Sequence, residues 1–200
     1  MGSPGRYRAD IGGGSLKLRE SRIIADLLIA GIDEAAWNHA IMVDNVLQTT
    51  SPNTAKRQAR LLRSRLETME RDLWGLVRDG SSAEATQALF ASAIKHSPLL
   101  GDFLLLVVKE HFRLFSPTLP IRLWNKYLDD CRARDPQMTS WSESTAKRLG
   151  GTVYRILLEV GLLRDTKSTV LQPVRILASV RNYLRKHKEQ YVLDCIQVAP

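Results

Sequence analysis

The chain has 200 residues, 44% of them hydrophobic and 25% charged, which excludes an intrinsically disordered protein and suits one domain or two small ones sharing a core. Lysine and arginine total 29 against 21 acidic residues, a formal net charge of +8. That excess favours polyanionic partners such as nucleic acid or anionic lipid, and helical periodicity dominates the pattern along the chain.

Residues 1–5 are expected to be an added or disordered start and stand outside the fold argument. Leu16 to Ala30 reads as a first helix, capped by Ser15 and stopped by Gly31, and Asp33 caps a second reaching about Gln48. Thr49 to Asn53 is a turn by composition, followed by one long helix from Thr54 to Asp79, closed by Gly80. Ser81 or Ser82 caps a fourth helix to Lys95, and Pro98 opens a fifth reaching Phe115. Ser116 to Pro120 is the expected boundary between an N-terminal helical domain, 6–115, and a C-terminal winged-helix-like domain, 116–200. Beyond it, Ile121 to Arg132 and Glu143 to Val160 read as helices, and Leu162 to Gln172 as a hairpin around Asp165–Ser168. Arg175 to Lys188 is a basic helix, and Tyr191 to Val198 has β-like composition. The expected fold is all-α, with two helix-turn-helix-like units and a small wing hairpin after the second.

One tetrapeptide occurs twice: Thr54-Ala55-Lys56-Arg57 and Thr145-Ala146-Lys147-Arg148. On a helical wheel with Thr54 at the origin, Ala55, Ala59, Leu62, Leu66, Met69 and Leu73 fall within roughly 60–140°. Lys56, Arg57, Arg60, Arg63 and Arg71 occupy roughly 180–300°, interrupted by Glu67. With Thr145 at the origin, Ala146, Leu149, Val153, Leu157 and Val160 face inward at roughly 40–120°, while Lys147, Arg148 and Arg155 face outward in the same phase. Gly150 and Gly151 thin this helix where another backbone could approach. Each basic helix follows a shorter one bearing a tryptophan, Trp37 or Trp124, which is the layout of a helix-turn-helix. Thr54 and Thr145 are then expected to cap their helices or bond a phosphate. Lys56, Arg57, Arg60, Arg63, Lys147, Arg148 and Arg155 reach phosphates or base edges, with Arg164 and Lys167 on the wing.

Other signals point nowhere in particular. The longest apolar run, Leu99 to Val108, carries Asp102 and is about half the roughly 20 residues a membrane span needs. No secretory leader is read at the start, and Cys131, Cys195 and the scattered histidines form neither a disulfide framework nor a metal-ligand set, so a cytoplasmic location without cofactor or metal is expected. Gly12-Gly13-Gly14 lacks phosphate-loop spacing and reads as a turn. Lys95-His96-Ser97 reads as a helix end with a charged histidine near the C-terminal dipole, and Asp129-Asp130 as a helix-end pair. Trp37, Trp74, Trp124 and Trp141 read as packing residues.

Tyr7-Arg8-Ala9-Asp10-Ile11 with Gly12-Gly13-Gly14-Ser15, then Glu20 to Leu28, resembles the BrxA family of BREX phage-exclusion systems. So do Asp44-Asn45-Val46-Leu47-Gln48, the Thr54–Leu66 helix, Ile94-Lys95-His96-Ser97 and Glu159-Val160-Gly161-Leu162-Leu163, so the resemblance covers nearly the whole chain from Tyr7. It implies a small core component of a bacterial defence system that marks host DNA by methylation and blocks phage replication. It further implies an all-helical, non-enzymatic DNA binder with helix-turn-helix elements. A likeness of the family to the NusB antitermination protein implies RNA binding as an alternative. The expectation is therefore a monomeric, cytoplasmic protein that binds double-stranded DNA with little sequence preference. The alternatives are a NusB-like RNA-binding module and an adaptor docking on the methyltransferase or another BREX component.

Overall fold

A computed structural model describes residues 5–198, so all but Gly5 of the expected added start lies outside the described residues. The helices are α1 (Leu18–Ala30), α2 (Glu34–Met42), α3 (Pro52–Leu66), α4 (Arg71–Asp79), α5 (Ser82–His96), α6 (Pro98–Phe103), α7 (Lys109–Arg113), α8 (Arg122–Arg134), α9 (Glu143–Glu159), α10 (Ala178–Lys186) and α11 (Gln190–Ile196). A π-helical segment, Leu104–Val108, joins α6 to α7, and a short 3₁₀ turn, Ala9–Gly13, precedes α1. The fold is all-α.

Helix α5 sits at the centre. Its N-terminus carries a complete capping box, Ser81 with Glu84. Its alanines let neighbours approach closely, and it buries residues around its whole circumference, as an enclosed helix must. Helices α1, α3, α4, α6, α10 and α11 all pack on it, so the C-terminal helices return to the N-terminal half and one core runs through the molecule. A second knot of aromatics ties α6 to α8 and α9: Phe103 meets Trp124 at 5.3 Å and Tyr127 at 5.2 Å, edge to face. Trp124 and Tyr127 are almost wholly buried, each contributing about 1.5–3 kcal/mol by removal from water. The two ends of the described chain meet at Asp102 on α6, whose carboxylate accepts from Arg6 and from the hydroxyls of Tyr7 and Tyr191. No single described helix is long and apolar enough to cross a membrane, and α5 bends by 104° into the following helical run.

Several element ends differ from the sequence reading, each for a local reason. Ser15 is not a cap: α1 starts at Leu18 after Lys17 in the left-handed region, and the Ser15 carbonyl is taken by Arg65. Helix α2 stops at Met42 rather than Gln48 because Asn45 and Gln48 both hold positive φ, with the Asn45 amide bracketing Thr49. The expected helix Thr54–Asp79 is two helices. Thr68 Oγ1 donates to the Arg65 carbonyl and Trp74 Nε1 to that of Leu66, so the end of α3 is closed by side chains rather than by glycine or proline. Arg71 and Leu73 therefore belong to α4, not to the basic helix. Helix α10 begins only at Ala178, because the Gln87 amide holds the extended backbone at Arg175 and Leu177. The β-like stretch 191–198 is mostly helix α11, where packing on α5 and α10 overrides residue preference.

The expected hairpin is present as isolated antiparallel pairs: Arg164 N donates to Val170 O and Gln172 N to Leu162 O, both at 3.0 Å. Pro117–Leu119 adds a third edge through Leu119 N to Thr169 O and Leu171 N to Pro117 O. The Asp165 carboxylate closes the tip by accepting from the amides of Lys167 and Ser168.

Candidate nucleic-acid interface

The repeated tetrapeptide is part of a longer structural repeat. Ser51 caps α3 by accepting from Thr54 N at 3.3 Å, and Ser142 caps α9 by accepting from Thr145 N at 3.3 Å. In both, the serine hydroxyl also donates to the threonine Oγ1, at 3.0 and 3.1 Å. Thr54 and Thr145 thus stand inside the first turn and are not the caps, because a serine three residues earlier takes that place. The wider pattern, Ser-x-x-Thr-Ala-Lys-Arg, is legible in the sequence once the window is extended.

The preceding helices repeat as well. Trp37-Asn38 with Ile41 on α2 matches Trp124-Asn125 with Leu128 on α8. Each tryptophan is buried against the basic helix that follows it. Each pair leaves a groove lined by equivalent residues: Glu34, Trp37, Asn38, Ile41 and Lys56 in the first, Ile121, Trp124, Asn125, Leu128 and Lys147 in the second. The first groove measures about 170 Å³ and the second about 550 Å³.

The difference comes from what stands on the second helix. On α3, the Arg63 guanidinium lies 4.5 Å from the Trp37 ring and bonds Glu67 Oε1 at 2.7 Å and Glu34 Oε2 at 3.3 Å. Those carboxylates raise its already high pKa, and this arginine is engaged within the first groove. On α9 the positions of Ala59 and Arg60 are taken by Gly150 and Gly151. It is not a backbone that approaches Gly150 but Trp124: an added Cβ there would lie 2.6 Å from Trp124 Cδ1. Trp124 Nε1 donates to the Ala146 carbonyl at 2.9 Å, fixing the crossing of α8 and α9.

The remaining cations divide clearly. Lys56, Arg57 and Arg60 on α3, Lys147, Arg148 and Arg155 on α9, and Arg164 and Lys167 on the hairpin are exposed, and their side chains make no ion pair among the described residues. In the 175–188 segment Arg175, Arg185 and Lys188 are exposed, while Lys186 pairs with Asp72. Arg65 is different again: buried at 3% exposure, it donates to the carbonyls of Gly14 and Ser15.

The expected charged His96 is corrected. Burial, helped by the nearby Arg65 charge, pushes its pKa below the ordinary value, so at neutral pH the ring is uncharged, with Nε2 against Ser64 Oγ at 3.2 Å. Burial raises the thiols of Cys131 and Cys195, the latter to about 12, leaving neither poised as a nucleophile. No cluster of three metal-ligating side chains occurs among the described residues.

This chain matches the BrxA family model over residues 5–188. It belongs to the BrxA family. It is 60% identical to the BREX protein BrxA of Paramagnetospirillum magneticum (strain AMB-1), over 97% of this chain and 98% of that one. With the BREX protein BrxA of Escherichia coli O9:H4 (strain HS) it shares 36% identity over 94% of this chain and 88% of that one. A crystal structure of an uncharacterized protein from Magnetospirillum magneticum superposes with a TM-score of 0.92 at 58% identity, covering 97% of this chain and all of that one. BrxA membership makes the chain a component of BREX phage defence.

Proposed function

We propose that this BrxA-family chain is a non-enzymatic double-stranded DNA-binding component of BREX, acting in the cytoplasm as a monomer without cofactor. The observation that carries the reading is the duplicated unit: two tryptophan-bearing helices, each followed by a serine-capped helix that opens Thr-Ala-Lys-Arg and displays unpaired cations. Supporting it, the order of a helical run to Arg113, the edge Pro117–Leu119, α8, α9 and the 162–172 hairpin is that of a winged helix-turn-helix. In such a unit α9 enters the major groove by its first turns, Lys147, Arg148 and Arg155 neutralise phosphates, and Arg164 and Lys167 meet the flanking backbone. Helix α3 offers Lys56, Arg57 and Arg60 in the same way, with Thr54 and Thr145 at the phosphate edge of each first turn. Cations aimed at phosphates carry little base information, hence the weak sequence preference.

One observation favours an adaptor role beside this, docking on the methyltransferase or another BREX component. Phe115 is 88% exposed and Ile121 55%, close along the chain, and Ile121 lines the larger groove. The deciding experiment measures affinity for duplex DNA, single-stranded DNA and structured RNA across a salt series. Duplex preference with a steep salt slope supports the proposal. Preference for structured RNA establishes the NusB-like alternative, and no polyanion binding leaves the adaptor role, tested by pull-down after nuclease treatment.

A further inference from the structure

The glycine-rich segment before α1 lies between the two repeated helices. The turn Ala9–Gly13 packs on both α3 and α9. A Cβ on Gly13 would sit 2.9 Å from Leu61 Cδ2 of α3, and one on Gly12 would sit 3.0 Å from Leu149 Cδ2 of α9. Both lie inside the roughly 3.5–4.0 Å at which carbon atoms rest, so the backbone runs close against both leucines and a methyl group at either glycine would have to displace one of them.

The next three residues are held by polar groups from the same two helices. Arg65 of α3 donates to Gly14 O at 2.9 Å and Ser15 O at 2.8 Å, while Glu159 of α9 accepts from Leu16 N at 2.8 Å. Burial lowers the Arg65 pKa only to about 10, so the guanidinium is charged at neutral pH. A buried guanidinium from α3 and a carboxylate from α9 thus hydrogen-bond three consecutive backbone residues and tie the segment to both helices.

We propose that Gly12–Leu16 is a positioning spacer that sets the separation of α3 and α9, so that their cationic first turns engage one DNA duplex together. The inference rests on the DNA-binding reading above. Two weak sites on one rigid body gain from each other's effective concentration only while their geometry matches the ligand. Gly12 to Leu16 are therefore positioning residues, and none of them contacts DNA.

The test uses the full chain with Gly12→Ala and Gly13→Ala combined, and Gly13→Ala with Leu61→Ala as the relieving variant. Spin labels at Asn53→Cys and Ser144→Cys, exposed and equivalent positions on α3 and α9, report the interhelix distance without DNA, since both native thiols are buried. Affinity is measured for duplexes of about 12 and about 30 base pairs. The native chain should gain about tenfold or more with length. In the double-glycine variant the label distance should shift or broaden, the short-duplex affinity should hold within about twofold, and the length gain should fall to about threefold or less. Gly13→Ala alone should also lose length gain, and adding Leu61→Ala to it should restore most of that loss. An unchanged label distance with an unchanged length gain overturns the spacer. A native chain that binds duplex but shows no length gain also overturns it, whereas one that binds no duplex at any length overturns the DNA reading on which it stands.

Discussion

Replacing Arg57 and Arg60 by glutamine separates binding charge from structural charge on one helix. Both side chains are exposed and unpaired, so their loss should change unfolding free energy by no more than about 0.5 kcal/mol. If each meets one phosphate, the slope of log affinity against log salt should fall by about 1.8, at roughly 0.9 per contact. Between 50 and 200 mM salt the native chain would then lose about tenfold more affinity than the variant. Arg63→Ala on the same helix should behave in the opposite way. It removes a guanidinium stacked on Trp37 and bonded to Glu34 and Glu67, which costs about 1 kcal/mol of stability and leaves the salt slope nearly unchanged. Urea unfolding and a duplex titration at four salt concentrations read both quantities. A folded Arg57→Gln/Arg60→Gln protein with native affinity and slope would remove α3 from the binding surface, and a large slope change in Arg63→Ala would refute its assignment to the groove.

Gly150→Ala should destabilise by about 1–3 kcal/mol, since its Cβ would lie 2.6 Å from Trp124, whereas Gly151→Ala, with nothing within 4 Å, should stabilise by up to about 1 kcal/mol; thermal unfolding with tryptophan fluorescence distinguishes the two signs. Asp102→Asn should weaken the latch between the chain ends by about 1.5–3 kcal/mol at pH 7. Burial pushes the Asp102 carboxyl up, but bonds from Arg6, Tyr191 and Tyr7 outweigh it and hold its pKa below the ordinary carboxylate value. The latch is then fully present above an unfolded pKa of about 3.9 and is lost as pH falls through the lower folded value, so native and variant stabilities should converge as acid titrates Asp102 below the ordinary carboxylate range in urea titrations. Ser142→Ala and Ser51→Ala should each cost about 1 kcal/mol, and an effect under a few tenths would show that the caps contribute nothing.

Amphipathic periodicity made the basic helices legible, because Ala55, Ala59, Leu62 and Leu66 on α3, and Leu149, Val153 and Leu157 on α9, are buried as their spacing requires. The Ser51 and Ser142 caps were within reach, three residues upstream of each threonine. The break between α3 and α4 was not, since the carbonyls it frees are satisfied by Thr68 and Trp74 instead of by any glycine or proline signal. Nor was α11, whose Tyr191, Val192 and Ile196 suit a strand until packing on α5 decides otherwise. Gly12 and Gly13 read only as a turn, because their contacts come from α3 and α9, far along the chain, meeting the same segment.

Charge was the most misleading quantity to read from composition. A net +8 weighs Arg57, Arg63 and Arg65 alike, although they sit within nine residues on a single helix. Folding commits Arg63 to a tryptophan and two carboxylates, and Arg65 to two backbone carbonyls. What remains free on α3 is Lys56, Arg57 and Arg60, which bounds that helix's share of the salt slope at about 2.7 however basic its sequence. The same accounting on α9 leaves Lys147, Arg148 and Arg155 free, an equal bound, so neither helix can dominate through charge. With Arg164 and Lys167 of the hairpin added, the second unit holds five free cations among the described residues against three on α3, so if both engage one duplex their separation matters alongside the number of cations.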